Sequence, residues 1–381
     1  MLRLPLVAAL AALLIPAPST QLAGRLQAAL DEWRASVQAP GAQLGVVTKD
    51  GQIFGLASGV SDRGTGKAMT PDDLLLAGST GKTFFAAVAL ELIESSRLDL
   101  DAPISKYLGT RPWFSRLPNA TDITVRMLMT HTSGLVRYEM NPKFTADLRA
   151  NPDKTWTPDE EIAYLLDATP PFAAGQGWDY SDTNYIVLGT IMEGITGRKL
   201  YDLVQERFLR RLKITHVVPS TSRRIPSLAS GYAGARDPLG LPDEVVKDGV
   251  FVINPQFEWT GGGYATSARD LARWGHELYA GRAISQKMRD LMIASAVPAR
   301  LGPDTQYGLG VIVRKTPAGT AWGHSGFFPG YQTELLYLPE TGLTLAVQIN
   351  SSAPRPGGSR SPLRFLYDVA AAVQGAGFLV P

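Results

Sequence analysis

Apolar residues recur with helical spacing in several stretches of this chain. In residues 21–36, leucine returns every fourth position and Trp33 continues the same face, which predicts an amphipathic helix. A second apolar face begins at Phe84 and Phe85 and ends at Ile93. The same spacing predicts helices over 159–167, 183–195, 201–212 and 268–279. A last helix is predicted from Ser361, an N-cap followed by proline, to about Gln374.

Shorter apolar runs predict strands at both ends of the chain. Residues 43–48 and 52–58 are joined at Lys49-Asp50-Gly51, where Asp-Gly indicates a hairpin. Towards the C-terminus, strands are predicted over 307–314, 320–323, 331–337 and 343–349. Terminal strands and helices thus enclose a mostly helical insertion. The stretch 219–255, rich in Gly and Pro, is predicted to be a loop that could line a cleft.

Composition narrows the class of protein. The chain has 381 residues, of which 45% are hydrophobic and 19% charged, with a net charge of +2. These values predict one large globular unit or two interleaved lobes, and the lack of a basic run argues against nucleic acid as a partner. The chain has no cysteine and only four scattered histidines, so we predict no metal site and no cofactor. His131, His216 and His276 are interpreted as structural.

The N-terminus is typical of a secretory signal. Met1-Leu2-Arg3 precedes an apolar stretch that ends at Pro18, so we predict a signal peptide over 1–19, cleaved after Ser19. The stretch is shorter than the ~20 residues that span a bilayer. An exported, periplasmic or secreted enzyme without stable membrane insertion is expected, and an uncleaved anchor is the alternative.

Ser79 and Lys82 stand three residues apart at the start of the second predicted helix. Residues at this spacing share a helix face, so the Lys82 amine can reach the Ser79 hydroxyl. The unpaired N–H groups and the positive end of the helix dipole favour negative charge there. The pattern predicts a nucleophile with its proton acceptor. It also fits an ordinary helix start, with Ser79 or Thr80 as N-cap and Lys82 in solvent.

Two further segments carry candidate chemistry. Tyr180 and Asp182 follow a loop rich in Pro and Gly, where a phenol and a carboxylate two residues apart can face one cleft. His324, Ser325 and Gly326 lie between apolar runs, and an edge strand there would offer backbone N–H groups to an oxyanion. Taken singly, these residues are more typical of a packing aromatic, a turn carboxylate and a structural histidine.

In this order the three segments resemble the signature of the penicillin-recognising serine hydrolases. That family includes class C β-lactamases, D-alanyl-D-alanine carboxypeptidases and related esterases and D-amino-acid peptidases. The stretches 128–135 and 261–271 are also similar to its class C and carboxypeptidase branch. The resemblance implies an α+β, β-lactamase/transpeptidase-like fold, with an antiparallel sheet flanked by helices and an inserted, mostly helical domain. The hydrolase domain would cover 20–376, with a sheet lobe over about 20–78 and 256–376 and a helical lobe over about 79–255.

The resemblance also implies roles for individual residues. Ser79 would be acylated, Lys82 would accept its proton, and Tyr180 would pass that proton to the leaving group. The oxyanion hole would use the backbone N–H groups of Ser79 and Phe327. Whether neutral Lys82 or a Tyr180 phenolate is the general base stays open. A lysine base needs its pKa depressed by burial and nearby cationic character.

Three residues depart from the β-lactamase pattern. Asp182 replaces an asparagine, and an ionised carboxylate cannot donate to a substrate carbonyl. It would hold Lys82 as a cation or accept from a substrate amide N–H, which disfavours β-lactam turnover. His324 replaces a lysine, and a role for its charge would make activity fall as pH rises through neutrality. Ser325 keeps the hydroxyl of the usual threonine.

These observations lead to a ranked expectation of function. First comes a D-alanyl-D-alanine carboxypeptidase-like amidase that acts on a small or peptidoglycan-derived substrate. A carboxylesterase or β-lactamase of the same fold is the alternative, and a non-catalytic penicillin-binding or regulatory protein is the hypothesis from a different class. Arg300 and Arg314 are candidates for binding a substrate carboxylate, or else surface arginines.

Overall fold

The computed structural model describes residues 20–235 and 237–375; the predicted signal peptide, 1–19, lies outside them. The helices are α1 (Thr20–Ser36), α2 (Lys82–Glu94), α3 (Ser105–Leu108), α4 (Val125–Met129), α5 (Pro142–Ala150), α6 (Pro158–Ile162), α7 (Thr183–Thr196), α8 (Leu200–Val204), α9 (Ala268–Tyr279), α10 (Gln286–Ala294) and α11 (Pro362–Val373). The strands are β1 (Gly41–Val47), β2 (Ile53–Gly59), β3 (Leu75–Leu76), β4 (Val217–Pro219), β5 (Val246–Lys247), β6 (Val250–Phe251), β7 (Tyr264–Thr266), β8 (Val297–Pro298), β9 (Thr305–Tyr307), β10 (Ile312–Thr316), β11 (Gly319–Phe328), β12 (Tyr331–Leu338) and β13 (Leu343–Ile349).

The main sheet has eight antiparallel strands in the order β2-β1-β13-β12-β11-β10-β9-β8. Successive residues of a strand point to opposite faces, so Leu335 and Leu336 enter different apolar clusters. On one face α1 and α11 pack together, with the rings of Trp33 and Phe365 stacked 4.4 Å apart. The other face packs against α9 and the helical part of the chain. The α+β fold and the antiparallel sheet are therefore as predicted.

A small sheet in the order β3-β7-β4 supports the start of α2. The chain leaves β3 through a single 3-10 turn, Gly78–Gly81, and enters α2 at Lys82. The prediction of one apolar face on this helix was too narrow, because every residue from Lys82 to Leu90 is buried. Helix α2 packs against α7, α8 and α10 and is thereby enclosed by the helical part. Such a helix holds its first turn in a fixed position.

Most predicted elements near the termini are confirmed, including the β1–β2 hairpin, β13, α1 and α11 with Ser361 as its N-cap. The predicted strand 307–314 is wrong, since β9 ends at Tyr307 and β10 begins at Ile312. Between them Gly308 bonds to Val311, and Gly310 packs against the side chains of α2 and α7. The predicted helix 201–212 is also divided, since α8 continues as a π-helical turn, Gln205–Leu209. No helix within residues 20–375 is long and apolar enough to cross a membrane.

Candidate active site

The turn Gly78–Gly81 lies directly against β11, backbone to backbone. Gly78 has a φ of +53°, and a Cβ placed on it would lie 2.4 Å from the carbonyl oxygen of Phe327. A Cβ on Gly326 would lie 1.9 Å from the carbonyl oxygen of Ala77. Only glycine permits this approach, which brings the backbone of Ser79 beside that of Phe327. This close contact between the two backbones explains why glycine occupies both positions.

Strand β11 lies inside the sheet, so the prediction of an edge strand is wrong for the strand as a whole. Its partner β10 pairs only with the segment from Gly319 to Gly323. From His324 to Phe328 the strand pairs with β12 alone, and its other side faces the turn that carries Ser79. The strand therefore presents a free backbone edge where an oxyanion would have to be bound.

Four side chains meet in this cleft. The ammonium nitrogen of Lys82 lies 3.1 Å from the Ser79 hydroxyl oxygen and 5.0 Å from the centre of the Tyr180 ring. Asp182 and Tyr180 come from the loop before α7, and the Asp182 carboxylate bonds to Lys82. The structure thus brings Ser79 and Lys82 together with Tyr180 and Asp182, although Lys82 and Asp182 are 100 residues apart along the chain.

Lys82 is surrounded by acceptors. Its ammonium group donates to the Ser79 hydroxyl, to the Asp182 carboxylate and to the carbonyl of Gly261, which accounts for all three of its hydrogens. Burial opposes the charge, but attraction by Asp182 and Tyr180 outweighs burial and raises the pKa of Lys82. The expectation of a depressed lysine pKa is therefore wrong for this resting structure. Asp182 holds Lys82 as a cation.

Asp182 is ionised for the same reason. Burial alone would raise its pKa, but Lys82 and then Arg137 favour the carboxylate and lower the pKa to about 2. The interaction with Arg137 is longer than the one with Lys82, with 3.9 Å between the guanidinium and the other Asp182 oxygen. An ionised carboxylate in this position accepts hydrogen bonds and donates none.

Tyr180 lies over this pair with its hydroxyl buried. Within the described parts of the chain, that hydroxyl has no partner at good hydrogen-bond geometry, although Ser79 and Lys82 are close enough to affect its pKa. Burial raises the pKa of Tyr180, Lys82 opposes this effect, and Asp182 adds to it. The ring packs on that of His131, with 4.2 Å between centroids. Tyr180 is thus a neutral phenol in the resting structure.

His131 fits its predicted structural role. Its Nδ1 accepts from the backbone N–H of Ser181 and contacts the amide of Asn184 at 3.0 Å. Burial, together with repulsion from Lys82, lowers its pKa well below the ordinary value. The ring is therefore neutral and fixes the loop that carries Tyr180.

His324 is buried and neutral, so it carries no charge that could take part in catalysis. Burial, followed by repulsion from Lys82, lowers its pKa to about 3. Its Nδ1 lies 2.6 Å from the carbonyl oxygen of Ser325 and must carry the hydrogen. Its Nε2 then accepts from the hydroxyl of Tyr307 at 2.8 Å. His324 is a wall of the cleft held in one tautomer.

The hydroxyl of Ser325 is already engaged. It accepts from the Arg314 guanidinium at 2.8 Å and donates to the Glu334 carboxylate at 2.9 Å. It has no hydrogen left to donate to a substrate. Arg314 is only 7% exposed, and neither it nor the exposed Arg300 lines the cleft. Neither of the two arginines suggested by the sequence is therefore among the residues that line the cleft.

The cleft encloses about 280 Å³ next to Ser79. Its walls are largely apolar, and the rim carries Met140 and Phe327, whose large side chains are 48% and 44% exposed. The loop predicted to line a cleft contributes Pro238 and Leu239. The remaining apolar walls are Phe257, Leu301, Ile312, Phe328 and Pro329. Such a pocket accommodates a medium-sized apolar group beside the nucleophile.

Three charged residues of the cleft were not predicted from the sequence: Arg137, Glu139 and Glu258. Arg137 and Glu139 come just after the 128–135 stretch, and Glu258 just before the 261–271 stretch, so proximity to these motifs was the available signal. Glu258 accepts from the N–H of Gly263 at 3.0 Å. Burial raises the pKa of Glu258 to about 8, against the effect of Lys82. Among the residues that the structure describes, no cluster of metal-ligating side chains is present.

The antiparallel sheet, the helical part and a Ser-x-x-Lys turn in the cleft between them define a serine hydrolase of the β-lactamase/transpeptidase-like fold. A sequence model of the family described as Beta-lactamase matches residues 26–368. The chain belongs to this family.

Similar proteins differ in their activities. Penicillin-binding protein 4 of Amycolatopsis lactamdurans is 28% identical over 309 residues, which are 78% of this chain and 73% of that protein. Esterase EstB of Burkholderia gladioli is 33% identical over 196 residues, 48% of this chain and 47% of the esterase. A D-aminopeptidase of Brucella anthropi is 27% identical over 82% of this chain and 56% of that protein. The chain thus spans about half the length of the latter two.

Solved structures agree on the fold. A D-stereospecific amidohydrolase from Streptomyces sp. superposes with a TM-score of 0.75 at 28% identity, over 88% of this chain and 95% of that one. D-amino acid amidase from Ochrobactrum anthropi SV3, in complex with D-phenylalanine, gives a TM-score of 0.77 at 25% identity, over 94% and 99%. The sheet and the helical part therefore have the same overall arrangement in those enzymes.

Proposed function

We propose that this protein hydrolyses an amide bond of a small, peptide-like substrate through an acyl-enzyme on Ser79. The observation that carries the proposal is the Ser79 hydroxyl held 3.1 Å from the Lys82 ammonium, beside a free edge of β11. In this mechanism the Ser79 oxygen attacks the substrate carbonyl. The developing oxyanion is bound by the backbone N–H groups of Ser79 and Phe327. Water then releases the acyl group.

The proton path follows from the charge state of the site. Lys82 cannot accept a proton while it is an ammonium, so the Tyr180–Lys82 pair must first lose one. We assign that loss to the Tyr180 hydroxyl, because Asp182 and the Gly261 carbonyl bind the ammonium form of Lys82. The phenolate takes the Ser79 proton and gives it to the leaving nitrogen. Activity should therefore rise with pH.

The substrate we favour carries an apolar group of about the size of an aromatic side chain. This choice rests on the apolar walls of the cleft and on the exposed Met140 and Phe327 at its rim. The similarity to a D-stereospecific amidohydrolase and to D-amino acid amidase supports a D-configured amide. The first candidates are D-alanyl-D-alanine-like peptides and D-amino-acid amides. Such peptides occur in peptidoglycan, which accords with the predicted export.

A carboxylesterase is the second candidate. Asparagine at position 182 could donate a hydrogen bond to an amide carbonyl in the substrate's side chain, but the Asp182 carboxylate cannot. A simple ester has no such carbonyl and needs no donor there. The similarity to EstB over about half of the chain also favours an ester substrate. Both activities use the same acyl-enzyme, so the relative rates on matched amides and esters decide between them.

The test is the intact mass of the purified protein over time, after addition of a penicillin, D-phenylalanine amide or a short aryl ester. We expect an adduct or turnover with the parent protein and neither with Ser79→Ala. Turnover that survives in Ser79→Ala would refute the acyl-enzyme. Absence of any adduct and any turnover with the parent protein would favour a non-catalytic, penicillin-binding or regulatory role. The mass of the mature chain also tests cleavage after Ser19.

A further inference from the structure

Arg137 is the accessible charge of the cleft. Its side chain is 36% exposed, whereas those of Asp182, Glu139 and Lys82 are 15%, 8% and 0% exposed. Its Nε donates to Glu139 at 2.6 Å. Within residues 20–235 and 237–375, its two terminal nitrogens make no hydrogen bond, and one of them lies 3.9 Å from an Asp182 carboxylate oxygen. Arg137 therefore keeps donors available to a ligand.

The other charges of the cleft are committed. Lys82 has used its three donors, and its charge is balanced by Asp182. One oxygen of Glu258 is bonded to the N–H of Gly263. A guanidinium with free terminal nitrogens matches a carboxylate in geometry as well as charge, because the two groups form paired hydrogen bonds. An anionic group of the substrate is thus the ligand that fits the part of the cleft beside Arg137.

We propose that Arg137 binds a carboxylate of the substrate, and that Glu139 competes with the substrate for the same guanidinium. The inference rests on the proposed function, since it names a subsite of the same cleft. It favours peptides that end in a free carboxylate over the corresponding amides. It also replaces Arg300 and Arg314 as the candidates for that role.

Glu139 makes the binding depend on pH. Its carboxyl is faced by Arg137 on the same loop, by Asp182 before α7, by Glu258 and by Glu161 of α6. Burial and repulsion from Asp182 raise the pKa of Glu139 to about 7, against the effect of Arg137. Below that pH Glu139 is neutral and leaves Arg137 to the substrate. Above it the carboxylate competes, so affinity for an anionic ligand should fall as pH rises through neutrality.

The experiment measures binding rather than turnover. Calorimetry on Ser79→Ala protein compares N-acetyl-D-phenylalanyl-D-alanine, as the free acid, with its C-terminal amide. We expect the acid to bind about 10- to 100-fold more tightly, as befits a charge-assisted hydrogen-bonded pair. Adding Arg137→Gln should abolish the difference, and Arg137→Lys should restore part of it. Arg300→Gln is the matched control, because this arginine is exposed and outside the cleft, and it should keep the preference.

Equal affinities for acid and amide, or no binding of either peptide, would overturn the proposal. A preference that survives in Arg137→Gln would overturn it as well. A further variant, Glu139→Gln, should keep the preference for the acid and remove its decline with pH, whereas an unchanged pH dependence would refute the competition. None of these results depends on catalysis. The Ser79 adduct tests the proposed function separately.

Discussion

Asp182→Asn is the sharpest test of how the site obtains its base. The substitution keeps the shape of the side chain and removes one negative charge from beside Lys82. The carboxylate raises the pKa of both Lys82 and Tyr180. Without it, the pair loses its proton at lower pH. The rising limb of the pH–activity curve, that is, the pH range over which activity increases, must therefore shift to lower pH.

The size of the shift can be worked from the contact. Two unit charges ~4 Å apart attract by about 4 kcal/mol at the effective dielectric of a protein surface. The effect on Tyr180, which loses the proton, is smaller, because Asp182 contacts Lys82 rather than the phenol. At 1.36 kcal/mol per pKa unit, we expect a shift of about 1 to 2 units.

The assay is kcat/KM for an aryl ester between about pH 5 and 10, which reports the ionisations of the free enzyme. Asp179→Asn is the control, since Asp179 is exposed, is absent from the cleft and lies three residues away in the chain. It should leave the limb in place. A limb that stays fixed in Asp182→Asn, or moves towards alkali, would refute the reasoning. The amide should also speed acylation by penicillin, because it can donate to the β-lactam side-chain carbonyl.

Other substitutions test separate parts of the structure. Lys82→Ala should lower the acylation rate by up to the ~10²- to 10⁴-fold that general acid–base catalysis contributes, because the Lys82 charge lowers the pKa of the Tyr180 base; a variant that keeps more than about a tenth of the rate would remove lysine from the mechanism. Gly326→Ala should lower acylation by about 10²-fold or more, because its Cβ would lie 1.9 Å from the Ala77 carbonyl and disturb the oxyanion site; parent-like kinetics would contradict that geometry. Phe365→Ala should cost about 3 to 5 kcal/mol of unfolding free energy, measured by denaturation, with little effect on acylation; equal stability would contradict the packing on Trp33.

The general architecture could be predicted from the sequence, because strand and helix periods are local. The β1–β2 hairpin and the cap of α11 followed from a few neighbouring residues. The boundaries of α8 and the break between β9 and β10 could not, since they depend on packing with distant segments. The chain turns at Gly310, where side chains of α2 and α7 pack against it, and no pattern in 307–314 reveals those neighbours.

The chemistry of the site divides in the same way. The sequence by itself determined the segments that meet, because Ser79, Lys82, Tyr180 and the 324–326 motif are recognisable by type and order. Only the tertiary structure decided their charges. A pKa depends on burial and on charges within a few ångströms, and Lys82 receives its nearest charge from a residue 100 positions away. The exposure of Arg137 and the engagement of Arg314 likewise follow from which strands and loops become neighbours.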